Sequence, residues 1–219
     1  HRAMLARLLL ADHPSPCAKE RTTADCALEA LGRRYGVGTG DILRRPGARG
    51  EDASSSVIAV DHQACILCDR CIRGCNDVQS NEVLGRSGKG YPTRIAFDLG
   101  RPMGDSSCVS CGECAAVCPT GALTHKTLSA PLRPKADLAA IDSVCPYCGV
   151  GCALTYHVDV ETNRVAYADG RDSPGNRARL CVKGRYGYDY ASHPQRLERP
   201  LIRRAPFYPK QPLSGAVRG

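Results

Sequence analysis

Tryptophan is absent from this 219-residue chain, and phenylalanine and methionine occur twice each, against 22 glycines and 15 prolines. So few large apolar side chains cannot easily bury enough surface to offset the entropy of ordering the backbone. No stretch approaches the roughly 18 consecutive apolar residues that span a bilayer, so no membrane span is expected. Basic residues interleaved with stacking aromatics are also missing. The excess of 30 Lys and Arg over 22 Asp and Glu, a formal charge of +8, is spread along the chain, which argues against a nucleic-acid partner. No secretory signal is legible, and a cytoplasmic location is expected.

Cysteine is what the chain has in excess, with 14 residues. Most recur two or three residues apart in tight runs. Disulfide scaffolds spread their cysteines over separate loops, whereas thiols this close converge on one point, as metal ligands do. Ligating thiols are deprotonated, and each oxidised four-cysteine cubane carries roughly two negative charges, so several clusters would offset most of the positive excess.

The organisation predicts an α+β chain of small modules. Residues 1–46 read as a helical segment. Met4, Leu5, Leu8 and Leu9 share one face of a first helix that His13-Pro14 ends, and a second runs from a capping Asp25 to Gly32. Pro46 to Ser56 reads as a linker. Residues 57–127 hold an internal repeat, and Leu128 to Asp137 forms a second proline-rich linker. Residues 138–195 are predicted to open on a cysteine-rich turn. A hairpin follows, with Leu154–Val160 and Val165–Ala168 flanking Thr162-Asn163. Residues 196–219 look like the start of something larger. With no initiator methionine at His1 and a new segment beginning as the chain reaches Gly219, a fragment is expected.

The strongest motif is Cys65-x2-Cys68-x2-Cys71-x3-Cys75, repeated as Cys108-x2-Cys111-x2-Cys114-x3-Cys118-Pro119. This is the two-cluster bacterial ferredoxin pattern, in which the fourth cysteine of each run serves the other cluster. Cys65, Cys68, Cys71 and Cys118 are therefore assigned to one [4Fe-4S] cluster, and Cys108, Cys111, Cys114 and Cys75 to a second. Structural zinc modules use two separated C-x2-C pairs instead. A third four-cysteine site is Cys145, Cys148 and Cys152, completed from afar by Cys181, with Gly149 and Gly151 letting the backbone close around it. From spacing alone, zinc stays open as the alternative at this third site.

The strings CPYCGVGC (145–152), CVKGRYGYDY (181–190) and HPQRLERPLIR (193–203) resemble the N-terminal iron–sulfur domain of molybdopterin-guanine-dinucleotide oxidoreductases, the formate dehydrogenase branch in particular. The resemblance implies a small β-rich [4Fe-4S] domain beside a pterin that carries molybdenum or tungsten. Lys183 would lie between cluster and cofactor, and a catalytic domain would begin near Arg196. The first 30 residues are similar to a one-His, three-Cys cluster domain shared by the large subunit of respiratory NADH dehydrogenase, some hydrogenases and NAD-linked formate dehydrogenases. That family's pattern is H-x3-C-x2-C-x5-C. His13, Cys17 and Cys26 match it, but Glu20 stands at the middle cysteine. Three outcomes are open: Glu20 ligates through oxygen, the site holds a three-iron cluster, or it is an empty relic.

The module order points to formate dehydrogenases that pass electrons toward NAD, because the NADH dehydrogenase large subunit is expected to lack a complete ferredoxin pair before the third site. The expected function is thus the iron–sulfur portion of a formate dehydrogenase. It would hold three [4Fe-4S] clusters, with a fourth depending on the first site, and its partner would be a flavin/iron–sulfur or other NAD-reducing subunit. Formate would be the substrate of the full-length protein. The rival readings are another molybdopterin oxidoreductase, a hydrogenase-linked subunit or a stand-alone electron carrier.

Overall fold

In the computed structural model, which describes residues 1–38, 49–126 and 133–202, the N-terminal segment folds as three short helices. These are α1 (Arg2–Leu10), α2 (Ala18–Thr22) and α3 (Ala27–Tyr35). The His-Pro-Ser-Pro run at 13–16 cannot extend a helix, because proline lacks an amide hydrogen and crowds the preceding turn. Helix α3 starts from Cys26, one residue beyond the expected cap Asp25, and ends at Gly36 in the left-handed conformation, with φ 62°.

The shared apolar face of α1 does not pack inward. Met4, Leu5, Leu8 and Leu9 are 42–61% exposed, whereas Ala6 and Leu10 are buried. Leu10 seats against Gly32 of α3, where a Cβ would stand 2.8 Å from Leu10 Cδ1. The glycine notch thus sets which line of α1 faces inward, and the longer leucine stripe turns to solvent.

The ferredoxin-like module is closed at its two ends. Strand β2 (Ile58–Asp61) pairs antiparallel with β5 (Leu123–His125), so residues on either side of the cysteine repeat lie side by side. Strand β1 (Glu51–Asp52) adds to the outer edge of β2, so the expected linker at Pro46 to Ser56 is partly sheet; its residues 46–48 lie outside the described residues. Asp52 fixes that edge by accepting the amides of Ser54 and Met103 at 2.8 and 2.6 Å. Between the cysteine runs lies a hairpin, β3 (Leu84–Ser87) with β4 (Arg94–Phe97). Two short helices, α4 (Arg70–Arg73) and α5 (Glu113–Ala116), each follow one cysteine loop. One apolar cluster containing Leu10, Leu28, Ile58, Phe97 and Met103 joins this module to the N-terminal helices. Each fully buried side chain of this size contributes about 1.5–3 kcal/mol.

The third module is a meander of β6 (Ala139–Val144), β7 (Ala153–Asp159) and β8 (Arg164–Gly170), followed by α6 (Val182–Tyr186). The expected β7–β8 hairpin is present, with Asn163 left-handed at φ 52° in its turn. The module does not open on the cysteine turn, because β6 precedes it. The segment AAIDSV is mostly exposed and lacks the alternation that announces a strand. Of the second expected linker, residues 128–132 lie outside the described residues. Lys135–Asp137 forms a single helical turn, and Lys135 Nζ pairs with Asp169 at 2.7 Å. Residues 203–219 also lie outside the described residues.

The modules also meet through polar contacts. Lys19 Nζ donates to the Cys118 carbonyl at 2.8 Å, and the Ala27 amide donates to Pro119 at 2.9 Å. On the other side, Arg185 Nε donates to the Cys111 carbonyl at 2.9 Å, and His125 Nδ1 bonds Tyr186 Oη at 2.7 Å. Two glycines make the approach sterically feasible. A Cβ on Gly121 would stand 2.9 Å from Cys17 Sγ, and one on Gly112 would collide with Tyr186 and Arg185.

Candidate metal centres

The two ferredoxin-type loops have the same backbone. The second residue after the leading cysteine is left-handed in both, Leu67 and Ser110 at φ 55°, and so is the residue after the second cysteine, Asp69 and Gly112. This bend turns the amides of Leu67 and Ser110 back to donate to Cys65 Sγ and Cys108 Sγ, each at 3.4 Å. A sequence repeat has become a structural repeat.

Cys65, Cys68, Cys71 and Cys118 line one cavity, closed by Val60, Ile66, Ile95 and Leu123. Burial pushes the Cys71 thiol up to about 12, with Cys118, Cys65 and Cys68 adding to the shift. Burial likewise raises Cys108, Cys111 and Cys114, and Cys75 adds to the rise in all three. The neighbours are therefore crossed: Cys118 sits with the first triplet and Cys75 with the second. As thiolates, groups packed this closely would be costly without a positive centre among them. Iron supplies that charge, so both donor sets fit a cluster.

At the third site, the Cys145 amide donates to the Cys152 carbonyl at 2.8 Å, and Gly151 takes φ 62° to close the turn. Cys181 arrives at the start of α6. Gly184 on that helix lies beside Cys145, because a Cβ there would stand 3.6 Å from its Sγ. Burial, then Cys145, Cys148 and Cys181, raise the Cys152 thiol, so these four also fit a shared centre. Cys145 is buried, while Cys148 and Cys181 are exposed. Lys183 is exposed on α6, two residues beyond Cys181.

At the first site the three matching residues, His13, Cys17 and Cys26, come together, all 1% exposed or less, with Glu20 outside the group. The fourth member is Glu29, not Glu20, and the four ligand atoms lie within 4.8 Å of one another. Glu20 is engaged elsewhere: one oxygen pairs with Arg33 Nη1 at 2.6 Å and the other accepts the Cys26 amide at 3.2 Å. Glu29, 8% exposed, accepts the Cys17 amide at 2.7 Å and the Ser15 hydroxyl at 3.2 Å. The Cys17 thiol is raised, first by donating to Cys26 and then by burial, and Cys26 is correspondingly lowered. A four-iron cluster on His13, Cys17, Cys26 and a residue at position 20 does not fit this arrangement. Sequence reading missed Glu29 because an acid in the first turn of a helix reads as a complement to the helix dipole. Its one distinguishing signal was the three-residue spacing from Cys26, which puts both on one helix face.

Residues 55–124 match the ferredoxin-like domain of NADH-quinone oxidoreductase subunit 3, and residues 138–193 match the molybdopterin oxidoreductase Fe4S4 domain. An NADH-quinone oxidoreductase subunit of Rhizobium meliloti is 36% identical over 93% of this chain and 23% of its own length. The NADPH-Fe(3+) oxidoreductase subunit alpha of Geobacter sulfurreducens is 32% identical over 92% of this chain and 23% of its own length. A Staphylococcus haemolyticus protein with the provisional name formate dehydrogenase is 32% identical over 66% of this chain and 18% of its own length. The chain thus spans less than a quarter of these relatives. A ferredoxin-like module ahead of the third site is therefore no mark of the formate dehydrogenase branch, since here it matches an NADH-quinone oxidoreductase model. No described helix is long and apolar enough to cross a membrane. The chain thus carries two iron–sulfur domains in series, a ferredoxin-like domain of the NADH-quinone oxidoreductase type followed by a molybdopterin oxidoreductase Fe4S4 domain.

Proposed function

We propose that this segment is the electron conduit of a molybdenum- or tungsten-dependent formate dehydrogenase located in the cytoplasm, delivering electrons from formate oxidation to a flavin/iron–sulfur or other NAD-reducing partner. Cys145, Cys148, Cys152 and Cys181 would hold the cluster nearest the pterin. Cys108, Cys111, Cys114 and Cys75 would hold the next, and Cys65, Cys68, Cys71 and Cys118 the third. Bound clusters would supply one-electron carriers, and the chain's residues would set their spacing. The division into 1–46, 57–127, 138–195 and a catalytic domain beginning at 196 belongs to the same reading. Exposed Lys183, beside Cys181, would face the molybdopterin guanine dinucleotide.

The observation that carries the conduit is the joint between α6 and the second cysteine loop. Arg185 bonds the Cys111 carbonyl while Gly184 of the same helix adjoins Cys145, so one rigid turn bridges two sites. The choice of formate rests on the CVKG and RLERPLIR strings and on the Staphylococcus relative. The competing donor is NADH or NADPH, as the names of the Rhizobium and Geobacter relatives suggest. Anaerobic full-length protein should show bleaching of its cluster absorbance and reduced-cluster paramagnetic resonance on adding formate alone. Reduction by NADH with no response to formate, in protein containing molybdenum or tungsten, overturns the formate assignment.

A further inference from the structure

The N-terminal group His13, Cys17, Cys26 and Glu29 differs in scale from the other three sites. Cys26 Sγ lies 3.7 Å from His13 Nε2, which lies 3.5 Å from Glu29 Oε1. A tetrahedral ion with ligands at about 2.0–2.3 Å separates its ligand atoms by roughly 3.3–3.8 Å. A four-iron cubane, whose ligands each sit outside a different iron, holds them farther apart. The twelve cysteines of the other sites are all among the described residues, and no three of them are drawn within the 4.8 Å that encloses this group. The same structure thus shows wide cysteine sets and one narrow mixed set.

We propose that His13, Cys17, Cys26 and Glu29 form a mononuclear structural site for Zn²⁺, in place of an iron–sulfur cluster. Two thiolates, one imidazole and one carboxylate make a four-ligand N/S/O set of the kind that holds zinc without a preferred redox state. All four side chains are buried, so no position is open to substrate or water, as in a closed structural site. Each carboxylate oxygen of Glu29 accepts one hydrogen bond, which orients it and leaves further lone pairs for a cation. His13 Nε2 is the ring nitrogen that faces Cys26 and Glu29, and is therefore the ligating atom.

The ligands come from the turn after α1, the start of α2, and the start and first turn of α3. One ion would therefore tie all three helices together, with Cys17 pressed against Gly121 of the ferredoxin-like module. Such an ion transfers no electrons. The N-terminal module then acts as a clamp on the conduit rather than as a link in it, whichever compound is the electron donor.

The test is metal analysis of the full-length protein purified without added metal. About one zinc per chain is expected beside about twelve iron, and it should persist through dialysis against a weak chelator. Zinc-edge X-ray absorption should show about two sulfur and two nitrogen or oxygen neighbours, with the single short shells of a mononuclear site. Glu29→Gln should lose most of the zinc, while Glu20→Gln, outside the ligand set, keeps it. Zinc that dialyses away, a coordination sphere of four sulfurs, or loss of zinc in the Glu20 variant but not the Glu29 variant overturns the proposal. So does iron above about twelve that falls by about four in Cys17→Ser, which identifies a cluster instead. The absorption spectrum of the unmutated protein decides the matter if the Glu29 variant fails to fold.

Discussion

Replacing Glu113 by alanine tests the joint between α6 and the second cysteine loop. Glu113 is 1% exposed and faces Arg185 at 3.4 Å and Arg179 at 3.1 Å; Arg185 is itself 3% exposed, Arg179 44%. Removing one partner of a buried pair strands the other charge out of water, at about 3–5 kcal/mol. Arg179 can turn to solvent, and Arg185 keeps its bond to the Cys111 carbonyl, so the lower end applies. A loss of about 3 kcal/mol is about a hundredfold in an opening equilibrium. Hydrogen exchange of the cluster-loaded protein reads this directly. Amides of α6 should exchange about a hundredfold faster in Glu113→Ala, with the β3–β4 hairpin unaffected, and Glu113→Gln should fall between. A change in α6 below about fivefold, near 1 kcal/mol, refutes the reasoning. Uniform acceleration across the ferredoxin-like module refutes it too, because Glu113 would then support its own loop rather than the joint.

Three further outcomes are expected. Cys118→Ala should abolish the paramagnetic signal of the cluster on Cys65, Cys68 and Cys71 and spare that of its sequence neighbours Cys108, Cys111 and Cys114; the opposite pattern rules out crossed ligation. Stripping iron should unfold residues 57–127, seen as lost protease resistance and circular dichroism, because a core with so few large side chains depends on its metal; an unchanged spectrum after full removal contradicts this. Burial, then the Arg185 cation, pushes His125 down to about 3, so the folded chain keeps it neutral while the unfolded chain takes up a proton below about 6.5. Its contribution is intact above about pH 6.5 and is lost as pH falls toward 3, about 2 kcal/mol by pH 5. His125→Gln should therefore flatten the acid limb of a stability–pH curve by that amount, and parallel curves for the two proteins would remove His125 from the account.

The parts of this molecule legible in its sequence are those where spacing alone dictates geometry. Cys-x2-Cys-x2-Cys forces a tight turn, and the turn appears twice with matching left-handed residues. The β7–β8 hairpin was legible for the same reason, since Thr162-Asn163 permits the positive φ that a tight turn requires. The side of α1 that packs inward was not, because it depends on Gly32, a residue of a different helix. Nor was the departure of Glu20, which follows from Arg33 emerging beside it two turns into α3. Strand β6 escaped because AAIDSV has no alternation to announce it, and its register with β7 defines it as a strand.

The pairing of β2 with β5 has a consequence for how the protein is made. A ribosome delivers Ile58 long before Leu123, and the first cysteine triplet long before Cys118. While residues 57–107 are emerging, β2 has β1 beside it but lacks β5, and neither cysteine set is complete. On the crossed ligand assignment, cluster loading would be deferred until the repeat has left the exit tunnel, and half-synthesised chains would be poor acceptors for the assembly machinery. A truncation ending before Cys108, which completes neither set, should remain colourless in cells that load the complete chain.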